Sequence, residues 1–423
     1  MARPSGKWLN MAILCASVVG ALCVWFAATA AVPQLIAAGL LTSERAGQMT
    51  AAVQLGFVAG TLASALLLIA DRVPLRRLFA ASAILAAGAT AALVLVEPAG
   101  TGALMLRFIA GLAMAGVYPV GMKLASGWAD RDLGLLIGLL VGALTLGSAA
   151  PHLVPRAVGT LPWQTVYLVA GALCLAGGGL ILAFREGPKR STRPRFRLAD
   201  ALEAWRNPAL RLANLGYLGH MWELYAMWAW IGVFFHHWGT LRGPGFPAPD
   251  IGLIVFGVIA AGAPGAVLAG LAADRFGRAR VAAGAMAISG TMALLIGPAA
   301  QVSLALAVIV GLVWGFAVVA DSAQFSACVV EHAKPDLVGT MLTVQNCLGF
   351  LLTVVAIQAV PAVLPDLGWR GAFAILAIGP ALGILAMIRL DALARAPRPA
   401  VEVGQAALTP DRKLSTSRPS SSE

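Results

Sequence analysis

The stretch Leu218–Trp238, LGHMWELYAMWAWIGVFFHHW, is apolar and aromatic apart from Glu223 near its centre and His220 one helical turn before it. Glu223 lies about 12 residues from Arg211 and from His236, hence roughly 18 Å from either end of a helix rising 1.5 Å per residue. Placing a carboxylate at the middle of a bilayer costs about 2.5 to 3.5 kcal/mol, so stability alone does not select it. Facing lipid, Glu223 takes up a proton; facing a wetted cavity, it exchanges one. Gly216, His220, Glu223, Met227 and Trp230 fall on one helical stripe, which makes His220 the expected proton partner and Trp230 a candidate for stacking on a solute. A structural hydrogen bond between helices is the competing reading for Glu223 and His220.

Other polar residues sit in apolar surroundings of the same kind. Asp321, in GLVWGFAVVADSAQFSACVVEH, lies roughly 15 Å from Glu331 along a helix and shares a stripe with Trp314 and Gln324 or Phe325; it is the second expected proton or cation site. Arg107 and Tyr118, eleven residues apart, return to nearly the same helical face. The fork of Arg107 suits a substrate carboxylate or phosphate, and equally suits pairing with Glu223 or Asp321. Gln54, Gln345 and Asn346 are further cavity candidates, although amides in such segments also bridge helices. Lys123 reads as a topological charge. His332 to Asp336, HAKPD, is a loop sequence without assigned chemistry.

The elements that must hold these residues are helices in a membrane. Of 423 residues, 59% are hydrophobic and 12% charged, about half the charge of an ordinary soluble chain. Apolar runs near 9–36, 48–70, 78–96, 103–125, 133–154, 164–184, 211–235, 251–273, 280–298, 302–330, 337–360 and 371–390 predict twelve spans. The first continues well past the length of a signal-peptide apolar region, so it is counted as a span. Residues 1–184 then form a first six-helix bundle, 185–210 a basic linker suited to anionic headgroups, 211–390 a second bundle, and 391–423 a tail with no buriable face, read as disordered.

The formal charge of +11 does not point to nucleic acid, because the basic residues alternate between loops instead of lining one soluble face. With the N-terminus inside, the inner loops hold Arg3, Lys7, Arg72, Arg76, Arg77, Arg131, the run from Arg185 to Arg211, Arg275, Arg278, Arg280 and Lys334, against Arg45, Arg156, Arg242 and Arg370 outside. Both termini are therefore expected in the cytosol, with the chain in the cell inner membrane. Five cysteines fall inside apolar spans without CxxC pairs or His partners at ligand spacing. No metal, cofactor or catalytic set is expected, and no phosphate-binding glycine loop with lysine is present to couple the chain to ATP.

The halves repeat. ADRVPLRR matches ADRFGRAR, setting Asp71 against Asp274 (274 − 71 = 203); WQTVY matches WRGAF, setting Trp163 against Trp369 (369 − 163 = 206); Asp132 and Asp336 differ by 204 (336 − 132 = 204). Duplicated halves are a common construction of secondary transporters.

GLAADRFGRAR, Gly270 to Arg280, resembles the loop motif of the major facilitator superfamily, and the likeness extends over roughly Asn10 to Leu390. The first-half copy keeps Asp71, Arg72, Arg76 and Arg77 but has Leu67 and Pro74 in place of glycines. RFIAG, Arg107 to Gly111, is similar to the family's Arg-x-x-x-Gly in the fourth span. GLLVGALTLGSAAP lacks the Gly-Pro step of the antiporter motif, and the asparagine motifs of nitrate and nitrite porters are absent. The resemblance implies an all-α membrane protein with twelve helices in two pseudo-symmetric bundles about a central cavity. It also implies that Asp71, Arg72, Arg76, Gly270, Asp274, Arg275, Gly277 and Arg278 form a cytoplasmic gate, in which an Asp at a helix end accepts from a neighbouring helix N-terminus. The expected function is transport of a small organic solute by alternating access, driven by protons, with the monomer as working unit. Multidrug or metabolite export and a solute sensor that does not translocate stand as alternatives; an enzyme is not expected.

Overall fold

Hydrocarbon offers no water to backbone N–H and C=O groups, so a chain of this composition must satisfy them within helices. The computed structural model describes residues 6–130, 132–154, 162–188, 198–240 and 250–395, and every regular element among them is helical. The readings that rest on Arg3, Arg131, Arg156, Arg242, the middle of the basic linker and the tail beyond residue 395 lie outside the described residues.

Ten helical stretches are long and apolar enough to cross a bilayer, against the twelve expected. The difference arises in two places. Val338–Arg395 runs for 58 residues and covers two expected spans, because Val338–Ala374 is continuous except at Gly368, whose φ of 60° and ψ of −176° turn the chain. Pro208–Thr240, 33 residues long, is not among the ten; its interior carries Trp222, Trp228, Trp230, His220, Glu223 and His236. Large apolar side chains such as Ile288, Leu294, Leu295, Leu382 and Ile388 are exposed, a belt suited to acyl chains.

Four expected spans are broken into two α-helices in their interior. The first divides into Lys7–Leu22 and Ala27–Ala37, the fourth into Thr101–Met114 and Tyr118–Ser126, the eighth into Ile251–Ala260 and Gly262–Phe276, and the tenth into Leu304–Ala320 and Ser322–His332. Pro119 accounts for the interruption in the fourth, since it supplies no N–H to the preceding turn. The breaks at Val117 and Asp321 fall at the repeat spacing (321 − 117 = 204).

The internal repeat is also written in how the helices touch. A Cβ on Gly111 would collide with the Val53 backbone, and a Cβ on Gly315 with the Val258 backbone. The two glycines differ by 204 (315 − 111 = 204) and the two valines by 205 (258 − 53 = 205). Gly20 meets Gly177, and Gly219 meets Gly379, in the same backbone-on-backbone fashion. Small residues permit this approach, and dispersion between close helices replaces the hydrophobic drive that lipid does not provide.

At the end bearing the basic loops, Lys7 Nζ donates to both carboxylate oxygens of Asp132, at 2.8 and 2.6 Å. Asn10 Oδ1 accepts from the Arg185 N–H at 2.6 Å and Trp128 Nε1 donates to the Arg185 carbonyl at 2.9 Å, so the chain leaving the sixth span is fastened to the first. The Lys7 hydrogen bond holds the Asp132 carboxyl below its usual range.

Two outcomes are expected. Gly111→Ala and Gly315→Ala each force helices apart, at a cost of about 1–3 kcal/mol, seen as lower melting temperatures in nanodiscs; Gly88→Ala, where an added Cβ meets nothing within 4 Å, leaves the melting temperature unchanged. Because the folded Asp132 pKa is depressed, its stabilisation is present above the unfolded value of about 3.9 and vanishes as pH falls through the folded value. Asp132→Asn is therefore less stable than wild type at neutral pH by at most about 1 kcal/mol, given the partial exposure of the pair, and the two converge in strong acid.

Candidate functional site

Glu223 is buried on the Pro208–Thr240 helix, and each of its oxygens has one donor. Trp314 Nε1 donates to Oε1 at 2.7 Å and Ser289 Oγ donates to Oε2 at 2.8 Å. The donors come from Leu304–Ala320 and Arg278–Val302, so the carboxylate joins three helices of the second half. The Ser289 Oγ also lies 3.3 Å from the Met286 carbonyl. A hydroxyl rotates between acceptors, so Ser289 can serve Glu223 in either protonation state: as donor to the carboxylate, or as acceptor from the acid while its own hydrogen turns to Met286.

His220 does not partner Glu223 as expected. Its Nδ1 stands 2.8 Å from Asp321 Oδ1 and its Nε2 2.9 Å from Ser322 Oγ. The reason is geometric: His220 and Glu223 leave the same helix a turn apart, and His220 comes level with the break at Asp321, where the tenth span offers a carboxylate and a hydroxyl. Neither His220 Nδ1 nor Asp321 Oδ1 has another partner among the described residues. The site is thus two adjoining units, Glu223 with Ser289 and Trp314, and His220 with Asp321 and Ser322.

Arg107 also departs from expectation. It is fully buried and pairs with neither acid. Its Nη1 donates to the Val24 carbonyl at 2.8 Å, and its Nη2 donates to the Trp25 carbonyl. These carbonyls lie in the interrupted turn between Lys7–Leu22 and Ala27–Ala37, where the helix no longer supplies i+4 donors, and the guanidinium fork meets two at once. Tyr118, expected to share the face of Arg107, lies beyond the break after Met114 and makes no hydrogen bond with it.

Trp230 is buried, and its Nε1 donates to the Ile357 carbonyl at 2.9 Å. Gln345 donates to Asn214 Oδ1 at 3.1 Å and accepts from Ser326 at 3.3 Å, and Asn346 accepts from the Tyr217 hydroxyl at 3.3 Å; both amides bridge helices. Among the described residues, buried Gln54 has no partner for either amide atom, and Gln324 Oε1 is likewise without one.

The gate residues divide. Asp71 pairs with Lys123 at 3.1 Å, so Lys123 is more than a topological charge. Arg76 donates to the Leu182 and Phe184 carbonyls, Arg278 pairs with Glu331, and Arg72 is exposed. Gly277 adopts φ 90°, which suits glycine alone, whereas Gly270 faces open space. Asp274 and Arg275 are exposed, and Asp274 has no hydrogen bond or ion pair among the described residues. The hydrogen bond expected from Asp274 to a neighbouring helix N-terminus is therefore not formed among the described residues.

Between the halves lies a seam of rings. Trp25, Phe26 and Phe57 of the first half meet Tyr225, Trp228 and Phe350 of the second, with Phe57 and Phe350 centroids 4.4 Å apart and Phe26 and Trp228 5.4 Å apart. The indole nitrogens of Trp25 and Trp228 are buried without acceptors. A wetted passage joining Glu223, Asp321 and Arg107 was expected; the three are instead sealed in protein contacts, because these rings fill the space between the halves. Of two cavities at the ends of the molecule, one of about 150 Å³ is lined by Asp71, Lys123, Gly339 and Thr343, and one of about 600 Å³ by Trp238, Trp369 and Arg370; neither reaches the three residues.

Ser289, Ser322, Arg107's carbonyl partners and the ring seam escaped the sequence reading. Lone serines in apolar spans carry little signal, and CVWFAA contains neither Gly nor Pro to mark a broken helix.

The sequence profile described as Major Facilitator Superfamily matches residues 13–242, more than half the chain. The human organic anion transporter MFSD10 (TETRAN) superposes with a TM-score of 0.65 at 15% identity, covering 91% of this chain and 100% of its own. The nucleoside transporter NupG, as its D323A mutant, superposes with a TM-score of 0.69 at 14% identity, covering 90% and 99%. At such identities the likeness is one of fold. No curated protein sequence matches.

Arg107→Leu is expected to leave the Val24 and Trp25 carbonyls without donors and to cost about 1–3 kcal/mol, with Arg107→Lys recovering only part because an ammonium lacks the fork. Thermal unfolding of the purified variants checks this; equal stability of Arg107→Leu and wild type would remove the role.

Proposed function

The chain belongs to the Major Facilitator Superfamily, and from that premise we propose that this small-solute transporter is secondary active, driven by protons, with Glu223 as the coupling carboxylate and the His220–Asp321 pair as its neighbour in the proton path. The observation that carries the reading is the pairing of Glu223 with a rotatable donor. Ser289 can accept from a protonated Oε2 or donate to an ionised one, so loading and release of a proton leave no buried polar atom orphaned. His220 adapts similarly, since Ser322 can donate to a neutral Nε2 or accept from a protonated one, with Asp321 balancing the charge.

The proposed cycle is alternating access. Residues 1–184 and 211–390 act as two six-helix bundles joined by the linker 185–210, and the aromatic seam parts to admit solute between them. The basic loops and both termini face the cytosol by the positive-inside rule, and the chain works as a monomer in the inner membrane. Tyr225 and Trp228 lie two and five residues after Glu223 on the same helix, so opening the seam moves the segment that carries the carboxylate. In this reading, solute binding and protonation share one mechanical element.

The test is uptake of a solute panel by proteoliposomes with and without an imposed pH gradient. Wild type accumulates its solute only with the gradient. Glu223→Gln, a fixed mimic of the protonated acid, reduces accumulation to the level without a gradient while retaining exchange of labelled for unlabelled solute. Uptake indifferent to the gradient would sink proton coupling, and an unaltered gradient response in Glu223→Gln would remove that residue from it.

A further inference from the structure

The WRGAF element, paired with WQTVY by the internal repeat, touches the Glu223 site only through Phe373, whose ring lies edge-on to Trp314 at 5.3 Å, while its Trp369 and Arg370 line a different space. It follows Gly368, the left-handed residue that turns the chain, and it forms one wall of the larger cavity at the end of the molecule away from the basic loops. The cavity, about 600 Å³, lies within the range of small-ligand sites. Its walls are chemically divided. Val233, Leu364, Leu367, Trp238 and Trp369 supply apolar and aromatic surface, whereas Arg370 and Gln301 supply polar heads.

Arg370 is exposed, and three features describe its setting. Its stem is pressed against the neighbouring helix: a Cβ added at Gly297 would stand 2.8 Å from the Arg370 Cα and 3.1 Å from its Cβ. Its guanidinium forms no ion pair or hydrogen bond among the described residues, and Asp366, one turn before it, does not pair with it. Its neighbour Trp369 is fixed by edge contacts with Phe234 and a tilted contact with Phe373, at 5.6 and 5.5 Å. An exposed charged fork with no partner among the described residues thus stands beside a held aromatic ring and the equally exposed Gln301 amide, which also makes no hydrogen bond among them.

We propose that this cavity binds an amphipathic organic anion, with Arg370 and Gln301 taking a carboxylate or phosphate head and Trp238 and Trp369 flanking its apolar body. A guanidinium is the group best matched to a two-oxygen anion, through parallel N–H···O hydrogen bonds. The aromatic walls add contact area at little entropic cost, since both rings are already held. The same chemistry is offered by a soluble aromatic carboxylate and by an anionic phospholipid. On the helix that it shares with Glu223, His237 at the cavity wall lies roughly 21 Å away along the axis, so the site is separate from the proton site and does not depend on the transport reading.

The experiment uses the full-length protein in nanodiscs of phosphatidylcholine, titrated by calorimetry with 4-phenylbutyrate and, in parallel, with its uncharged amide. Saturable binding of the acid is expected, with the amide weaker. Loss of a charge-assisted hydrogen-bonding partner in Arg370→Gln should weaken the acid roughly ten- to a hundredfold, and Arg370→Lys should restore part of it. Glu223→Gln should bind the acid as wild type does; loss of binding there would show that the cavity is part of the transport site and overturn its separateness. In a second arm, phosphatidylglycerol is added to the discs: displacement of the acid by the lipid, or Arg370-dependent retention of the lipid without binding of the acid, assigns the site to a headgroup. Absence of any Arg370-dependent binding of either compound overturns the proposal.

Discussion

A carbonyl or carboxylate set loose inside hydrocarbon has to find its donor within the protein, and most of what is unusual here follows from that rule. The first span breaks between Leu22 and Ala27, and Arg107 from the fourth span supplies two of the missing hydrogen bonds. Glu223 is tolerated because Trp314 and Ser289 each supply one. The break at Asp321 brings a carboxylate and Ser322 level with His220. In each case the polar group links helices distant in sequence, so the contacts that make it tolerable also fix the packing around it.

The contrast between ends and middle has the same origin. Near the basic loops, water is at hand, and ion pairs such as Lys7 with Asp132 and Arg280 with Asp391 form between partly exposed groups, where each is worth little. At mid-depth, the rings of Trp25, Phe26 and Phe57 meet those of Tyr225, Trp228 and Phe350, beside small-residue contacts between the halves such as Gly142 with Ala263. Rings pack at many tilts with small differences in energy, whereas buried hydrogen bonds fail abruptly when stretched. The seam is therefore tolerant of rearrangement, and the polar units beside it lie within the second half instead of across it.

Much of this architecture can be read from the residues in order. The apolar runs, the alternating basic loops and the spacing between Asp71 and Asp274 mark a duplicated helical membrane protein, and the close glycine contacts at Gly111 and Gly315 carry the duplication into packing. The unusual residues were also visible, since Glu223, His220, Asp321 and Arg107 stand out against their neighbours. Their partners were not. Periodicity gives the face of a helix but not which neighbour comes level with it, so the Asp321 partner of His220 and the Val24 and Trp25 carbonyls that Arg107 meets lie beyond its reach. The ring seam was hidden for a related reason: nothing in the residue types of Trp25 or Phe350 marks them as facing the other half.

One asymmetry between the repeats bears on mechanics. Lys7–Leu22 and Ala27–Ala37 form a jointed rod, while the corresponding segment of the second half, Pro208–Thr240, is one unbroken rod of 33 residues. The duplication thus sets an articulated strut beside a stiff spar. Within the proposed cycle, bending across the midline falls to the jointed member, and the spar, with the ionisable pair mounted on it, tilts as a lever of fixed length.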